Sequence, residues 1–260
     1  TSDLDDAREL LSLLECPVCF DLMKPPIVQC SNGHSVCSKC KGKLTVCPSC
    51  EANYLETRNL LAEQMAYKVK HPCKNQSAGC SEKYPLEHLT RHEAECPHRV
   101  FECKAGFGVK GVNKCGWSGL LDQLYHHVAA SHKPFCWMRA SNTIQHKNID
   151  LNKDCSVTQL VSAHDEIFWY HYRHVTSEER SFVALQYIGQ VKAAKKYKYE
   201  VRCSSSGADF ELSMVCPAHG DPEDAGAIFR SGKCLILDFR TMNHFIINKA
   251  LIMKFNVLKA

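Results

Sequence analysis

No stretch of this 260-residue chain comes near the run of about 20 apolar residues that a membrane helix requires. The chain also opens without the apolar core of a secretory leader, so neither a membrane-embedded nor a secreted protein is expected. A concentration of positive charge is missing too. Residues 1–133 hold 16 Lys and Arg against 15 Asp and Glu, and residues 134–260 hold 16 against 13. A nucleic-acid binder gathers its cations on one face, whereas the local cluster Lys192, Lys195, Lys196 and Lys198 reads as a solvated strand and turn. No nucleophile motif accompanies His164, His171 or His174, which read as core or strand-surface histidines, and no catalytic residue is assigned. Cysteine is what the chain has in excess. There are 17, and many keep company with histidine at metal-ligand spacing, which argues for bound metal in a reducing cytoplasmic or nuclear setting, against a disulfide framework.

The densest part runs CPVCFDLMKPPIVQCSNGHSVCSKCKGKLTVCPSC. Its donors fall as Cys16-x2-Cys19-x10-Cys30-x3-His34-x2-Cys37-x2-Cys40-x6-Cys47-x2-Cys50. Two thiolates separated by two residues can grip one Zn2+ from a tight turn, so eight donors suit two tetrahedral sites. Every donor is used and no position is left for water, which makes both metals structural. Spacing alone leaves open whether sequence neighbours share a metal or the pairs interleave.

This order of donors resembles the C3HC4 RING finger. The resemblance implies a cross-brace, with Cys16, Cys19, Cys37 and Cys40 on one zinc and Cys30, His34, Cys47 and Cys50 on the other. It also implies a shallow apolar groove for an E2 ubiquitin-conjugating enzyme, formed here by Val18, Leu44 and Pro48. Many active RINGs carry Arg or Lys just after the last ligand, where it clamps E2-bound ubiquitin. This chain has Glu51, which keeps open a second reading as a zinc-dependent scaffold or adaptor with weak or no ligase activity.

On either side of this stretch, helices are predicted. SDLDDARELLSLL has Ser2 or Asp3 as N-cap, acidic residues in its first turn and a stripe of Leu10, Leu11 and Leu14, giving an N-terminal helix over 1–15. Residues 51–72 form a linker whose helix has Leu60, Leu61 and Met65 at helical spacing, capped by Thr57 or Asn59.

An internal repeat follows. Its copies are Cys73-x6-Cys80-x11-His92-x3-Cys96 and Cys103-x11-Cys115-x11-His127-x4-His132. Leu86 and Leu89, then Leu121 and Leu124, put an apolar face on the segment that leads into each histidine, so the last ligands belong on helices. Two more structural zinc sites result, with fingers at 73–96 and 103–132 inside a region 73–133. His127 is preferred to His126 because its spacer equals that of the first finger, and His71, His88 and His98 read as surface or capping residues. In all, 12 cysteines and 4 histidines hold four Zn2+. The loop KAGFGVKGVNK between Cys103 and Cys115 is long and rich in glycine.

From Pro134 the texture changes to short alternating segments. Tyr197, Tyr199, Val201 and Cys203 alternate with Lys198, Glu200 and Arg202, as a half-buried strand does. Phe168/Tyr170/Tyr172, Val183/Leu185/Tyr187, Phe210/Leu212/Met214 and Leu251/Met253/Phe255/Val257 repeat the pattern. The run CLILDF is apolar enough for a central strand. Seven or so strands predict an antiparallel β-sandwich over 134–260, with Cys136, Cys155, Cys203, Cys216 and Cys234 as buried free thiols.

Together these parts resemble the seven in absentia family of RING-type E3 ubiquitin ligases, most closely in ECPVCFDLMKPPIVQCSNGHSVCSKCKGKL, PCKNQSAGC and FVALQYIG. The expected fold is a multidomain zinc-binding α+β protein with a cross-brace RING (16–50), two small Cys/His zinc fingers and a TRAF-like antiparallel β-sandwich. The resemblance implies partners as well: an E2, ubiquitin, substrates or adaptors held as peptides by the sandwich, and a second copy of the chain. Substrates would be ubiquitinated and passed to proteasomal degradation. Two features depart from the family: the 11-residue loop, which is shorter there, and the segment VTQLVSA at 157–163, where the family's edge strand carries Trp and Met.

Overall fold

The computed structural model describes residues 9, 11–207 and 209–260. The helix expected over 1–15 therefore lies largely outside the described residues. The chain divides into two compact units, Thr1–Ala94 and Glu95–Ala260.

In the first unit, β1 (Ile27–Cys30) is flanked by the antiparallel strands β2 (Ser35–Cys37) and β3 (Tyr54–Arg58). A one-turn helix, α1 (Ser38–Lys41), follows β2, and α2 (Leu60–Lys68) follows β3. Asn59 is the N-cap of α2, its side chain accepting the Ala62 amide at 3.1 Å, which satisfies one donor orphaned at the helix start. The buried face of α2 differs from the one its leucines suggest. Leu60 and Leu61 are 58% and 68% exposed, while Glu63 and Ala66 are buried. The reason is polar as well as steric: the Glu63 carboxylate accepts the Ile27 amide at 2.9 Å, and Arg58 Nε lies 3.6 Å from it. A charge-assisted bond of about 1.5–3 kcal/mol thus pins the helix to β1, and Ala66 lets the backbones approach. Buried His71, which the sequence placed among surface or capping residues, caps α2 by donating from Nε2 to the Ala66 carbonyl at 2.7 Å. Beyond it come the hairpin β4 (His71–Pro72) and β5 (Lys83–Tyr84), and α3 (Leu86–Glu95).

The second unit starts with the hairpin β6 (Phe101–Glu102) and β7 (Ser118–Gly119) and the helix α4 (Leu121–Ser131). The short β8 (Cys136–Trp137), β9 (Ser141–Lys147), β10 (Cys155–Ala163), β11 (Glu166–Val175) and β12 (Arg180–Tyr187) come next. After α5 (Val191–Ala194) the chain runs through β13 (Tyr197–Ser204), β14 (Glu211–Pro217), β15 (His219–Gly220), α6 (Ala225–Ser231), β16 (Leu235–Asp238), α7 (Phe239–Asn243), β17 (Ile246–Ile247) and β18 (Ala250–Lys259). One sheet has the order β15-β12-β11-β10-β8 with β16 also on β12, and the other β14-β13-β18-β17 with β9 on β18. Pairing is antiparallel apart from the two-residue rungs of β8 on β10 and β15 on β12. His164 and Asp165 join β10 to β11 with φ of 57° and 64°, the left-handed pair that suits the twist of a hairpin. Phe168, Tyr170, Val183, Leu185, Tyr199, Val201, Met253 and Phe255 fill the space between the sheets.

Three local expectations are corrected. CLILDF yields β16, an edge strand bound only to β12. Its apolar character comes from burial on both faces, Leu235 and Leu237 toward the sandwich and Cys234 and Ile236 against a cluster with Ile228 and Phe229 of α6. Phe210 and Met214 are exposed: β14 is an edge strand paired only with β13, and Phe210, just before it, stacks on His244 at 4.7 Å. Among the free thiols, Cys203, Cys216 and Cys234 are buried, but Cys136 is half-buried and Cys155 exposed, since each starts a strand at the rim.

The central β11 is buried on both faces, which simple alternation does not convey. Its outward Trp169 joins Leu160 and Ile188 in a second cluster with Phe101, Leu124 and Val128, so the finger helix α4 covers the back of the sheet. An ion pair reinforces this docking. Arg99 donates to both oxygens of Asp221 at 2.6 and 2.7 Å and to the Cys96 carbonyl at 3.0 Å, and stacks 4.1 Å over Phe101, while Asp221 also accepts the Gly189 amide at 3.1 Å. His171, also on β11, donates from Nε2 to Gln186 Oε1 at 2.7 Å and accepts from the Thr158 hydroxyl at 3.0 Å. Burial holds its pKa down at about 4. The unfolded chain then takes up a proton between about pH 6.5 and 4 that the folded chain refuses, so stability from this group is present above that window and lost on acidification through it. In His171→Asn the melting temperature should decline less steeply than wild type between pH 6.5 and 4; parallel slopes would rule this source of acid sensitivity out.

Candidate metal centres

Four groups of donors converge, each with its ligand atoms within 4.8 Å of one another: Cys16, Cys19, Cys37 and Cys40; Cys30, His34, Cys47 and Cys50; Cys73, Cys80, His92 and Cys96; and Cys103, Cys115, His127 and His132. The first two interleave along the chain, which the donor spacing had left open. The cause is local. Cys16–Cys19 and Cys47–Cys50 each sit in a tight knuckle closed by a backbone bond back to the first cysteine, Phe20 N–H to Cys16 O and Glu51 N–H to Cys47 O, both at 2.8 Å. Phe20 and Glu51 close these turns with φ of 60° and 58°. Between the knuckles, the β1–β2 turn presents Cys30 and His34, and α1 presents Cys40 one turn from Cys37.

The spacings fit zinc. Tetrahedral coordination with Zn–S near 2.3 Å and Zn–N near 2.0–2.1 Å puts sulfurs about 3.8 Å apart and sulfur to nitrogen about 3.5 Å. The structure has Cys19 to Cys37 at 3.9 Å, Cys30 to Cys50 at 3.8 Å, and Cys30 Sγ to His34 Nδ1 at 3.7 Å. Cys80 and Cys115 each lie 3.4 Å from Nε2 of His92 and His127. His132 has a buried Nε2 with no protein partner, as a metal-directed nitrogen would. The thiols of the RING groups split in charge. Against burial, hydrogen bonds from backbone and neighbouring donors hold Cys16 and Cys30 down at about 7 and about 6, while the neighbouring Cys37 sulfur and burial push Cys40 up to about 12. Burial pushes Cys103 up to about 11. The raised thiols resist ionisation until a dication among them compensates.

In the fingers, α3 and α4 carry His92 and His127, while the last ligands Cys96 and His132, expected on the helices, lie one residue past the helix ends. The helical histidine of each finger is shielded by an aromatic ring that the spacing had not singled out: Tyr84 at 4.6 Å from His92, and Trp117 stacked on His127 at 4.5 Å. Both rings precede the ligand helix, a signal available in the spacers. Geometry also separates His127 from its neighbour, since exposed His126 meets Tyr125 edge-on and takes no part in the group. Outside the metal groups, Val18 is 39% exposed, Pro48 is exposed, and Leu44 is half-buried against the RING core. Phe20 and Val46, 76% and 41% exposed, extend the apolar surface of the zinc loops beyond the residues first singled out.

A cross-brace RING, paired Cys/His fingers and a β-sandwich define the class: a RING-type E3 ubiquitin transferase, whose zinc ions shape surfaces and perform no covalent step. Profiles of the E3 ubiquitin-protein ligase sina/sinah RING finger, the Sina zinc finger and the Sina TRAF-like domain match residues 16–50, 64–146 and 161–256. The chain is 31% identical over 243 residues to the E3 ubiquitin-protein ligase sina of Drosophila melanogaster, covering 91% of this chain and 74% of the relative. It is 32% identical over 254 residues to that of Schistosoma mansoni, covering 95% and 66%, and 31% identical over 239 residues to siah2 of Xenopus laevis, covering 89% and 73%. The chain belongs to the seven in absentia family of E3 ubiquitin ligases.

Metal analysis of the purified chain should return four zinc ions. His127→Ala should lower the count to three, and His126→Ala should leave it at four; the reverse result would exchange the two residues.

Proposed function

We propose that the chain ubiquitinates proteins by holding an E2-ubiquitin thioester at the RING while the sandwich holds the substrate. The observation that carries this reading is the pair of RING centres: each uses four protein donors, so the metals fix loops, and those loops display Val18 and Pro48 to solvent. Such rigid apolar points, with Leu44 beside them, suit the docking of a folded partner. The covalent chemistry belongs to the E2 cysteine, and this chain contributes proximity and orientation. The scaffold reading rests on Glu51 alone and is not favoured.

At the other end, the reading is an extended peptide of a substrate or adaptor laid along a sheet edge, β10 being the candidate, since strand addition uses backbone bonds and needs few particular side chains. A homodimer through the sandwich is supported by exposed Val215 and Ile252 on its β14-β13-β18 sheet. The cytoplasm or nucleus is the proposed setting, and the sixteen donors are proposed as the zinc ligands.

Val18→Ala should weaken E2 binding several-fold, the loss of about 1 kcal/mol expected for a modest interface anchor, with four zincs retained. Wild-type transfer rates with every E2 of a panel would place the groove elsewhere. Glu51 cannot donate the hydrogen bonds that a cation would, and Glu51→Arg should therefore speed ubiquitin discharge from the E2 roughly tenfold or more at unchanged E2 affinity. An unchanged rate would mean that this position does not touch the thioester complex.

A further inference from the structure

An exposed sheet edge is a row of unused donors and acceptors, and it pairs with whatever extended segment reaches it. The outer edge of β10 is covered in two pieces. Its later half carries β8, which pairs with Leu160 and Val161. Its earlier half carries the long loop of the second finger: the Gly106 amide donates to the Thr158 carbonyl at 2.8 Å, and the Thr158 amide donates to the Phe107 carbonyl at 3.1 Å. Both backbone groups of Thr158 are thus taken by a segment that belongs to neither sheet.

The loop is fitted to this seat. Gly106 (φ 75°) packs so closely on Phe135 and Val112 that a Cβ would approach each to 3.0 Å. Gly108 (φ 88°) presses on Ser156, where a Cβ would collide with the hydroxyl and lie 2.9 Å from the carbonyl oxygen. Both glycines combine a left-handed backbone with close approach, a demand only glycine meets without strain. Beside the loop opens a cleft of about 450 Å3 whose lining includes Val109, Trp137, Ile144, Val157 and Gln159. The Gln159 side-chain oxygen is buried there without a donor, so the cleft holds apolar surface and an unmet acceptor next to the covered edge.

We propose that the loop 104–112 is a strand-edge latch, a segment of the chain that occupies in cis the place an extended partner peptide takes on β10, so that the peptide binds only when the loop lifts. The proposal rests on the reading of the β10 edge as the peptide site and adds its regulation. Cys103 and Cys115 tie both ends of the loop to the finger, so a lifted loop stays nearby and competes at an effective concentration in the millimolar range. Two backbone hydrogen bonds and the glycine contacts set the closed fraction. Their loss should raise apparent peptide affinity roughly ten- to a hundredfold, because apparent affinity scales with the fraction of chains that are open.

The test uses the full chain and two variants: Gly108→Val, which cannot occupy the seat, and a chain lacking residues 106–112. Zinc content of four per chain in each establishes that the second finger persists. Amide exchange at Thr158 is followed by NMR, and binding is measured on an array of twelve-residue peptides of unrelated sequence. The expected result is a slow Thr158 amide in wild type, exchange at least tenfold faster in both variants, and tenfold or greater gains in affinity for array peptides that reprotect Thr158. Equal affinities for wild type and variants would overturn the latch while leaving peptide binding in place. A Thr158 amide unprotected in wild type would overturn it as well. Faster exchange with no peptide bound by any of the three would overturn both the peptide site and its latch.

Discussion

The bond between thiolate and zinc is what the rest of the chain depends on. Segments of a few dozen residues cannot bury enough apolar surface to offset the entropy of ordering them. In the RING, the fully buried residues are few, and the ligands Cys16 and Cys40 are themselves part of the cluster with Met23, Ile27 and Val36. A structural zinc contributes on the order of 10 kcal/mol to folding, which more than offsets the cost of about 1–2 kcal/mol for each left-handed residue closing a knuckle. Phe20 and Glu51 can hold that conformation because the two cysteines of each knuckle converge on one metal group and fix the turn that each residue closes. The same rigidity keeps the apolar side chains on the zinc loops in the open.

The second finger is more than a metal-stapled spacer, because it has no separate core. Phe101, Leu124 and Val128 bury themselves against Leu160 and Trp169 of the sheet, so finger and sandwich stabilise one another. Arg99 and Asp221 sit at this seam with every strong contact answered, by a carbonyl, an amide and a ring. Removing one member of such a buried pair leaves a charge without compensation, at about 3–5 kcal/mol. The arrangement fixes the finger's position on the sheet, and with it the position of the loop that reaches β10.

For a ligase with no covalent residue of its own, this economy has a mechanistic meaning. Rate enhancement comes from holding two reactants in place, so the residues that matter most are those that keep surfaces rigid: Glu63 and Asn59 clamping α2 to the RING sheet, and the zinc donors themselves. Glu51 illustrates how position and chemistry separate. Its backbone closes the second knuckle as Phe20 closes the first, whatever its side chain does toward a bound partner.

The candidate metal donors were legible from the amino-acid order because zinc chemistry marks the chain directly: thiolates two residues apart share a turn in the RING knuckles, and in the fingers the donors repeat with an 11-residue spacer before the histidine. Alternation at Tyr197–Cys203 and Leu251–Val257 revealed the sandwich for a similar reason, since strand geometry forces a period of two. Where a residue's environment is set by something distant in sequence, that legibility ended. Leu60 and Leu61 looked like the buried face of α2, but Glu63 is drawn inward by the Ile27 amide. CLILDF looked central, but helix α6 supplies the burial that a second neighbouring strand would have given. Trp169 is buried by a finger helix that lies some forty residues earlier. Spacing had already preferred His127 to His126, but the interleaving of the RING pairs and the seating of the finger loop on Thr158 were decided only by tertiary structure, because each depends on which chain segments meet in space, and spacing along the chain carries no record of that.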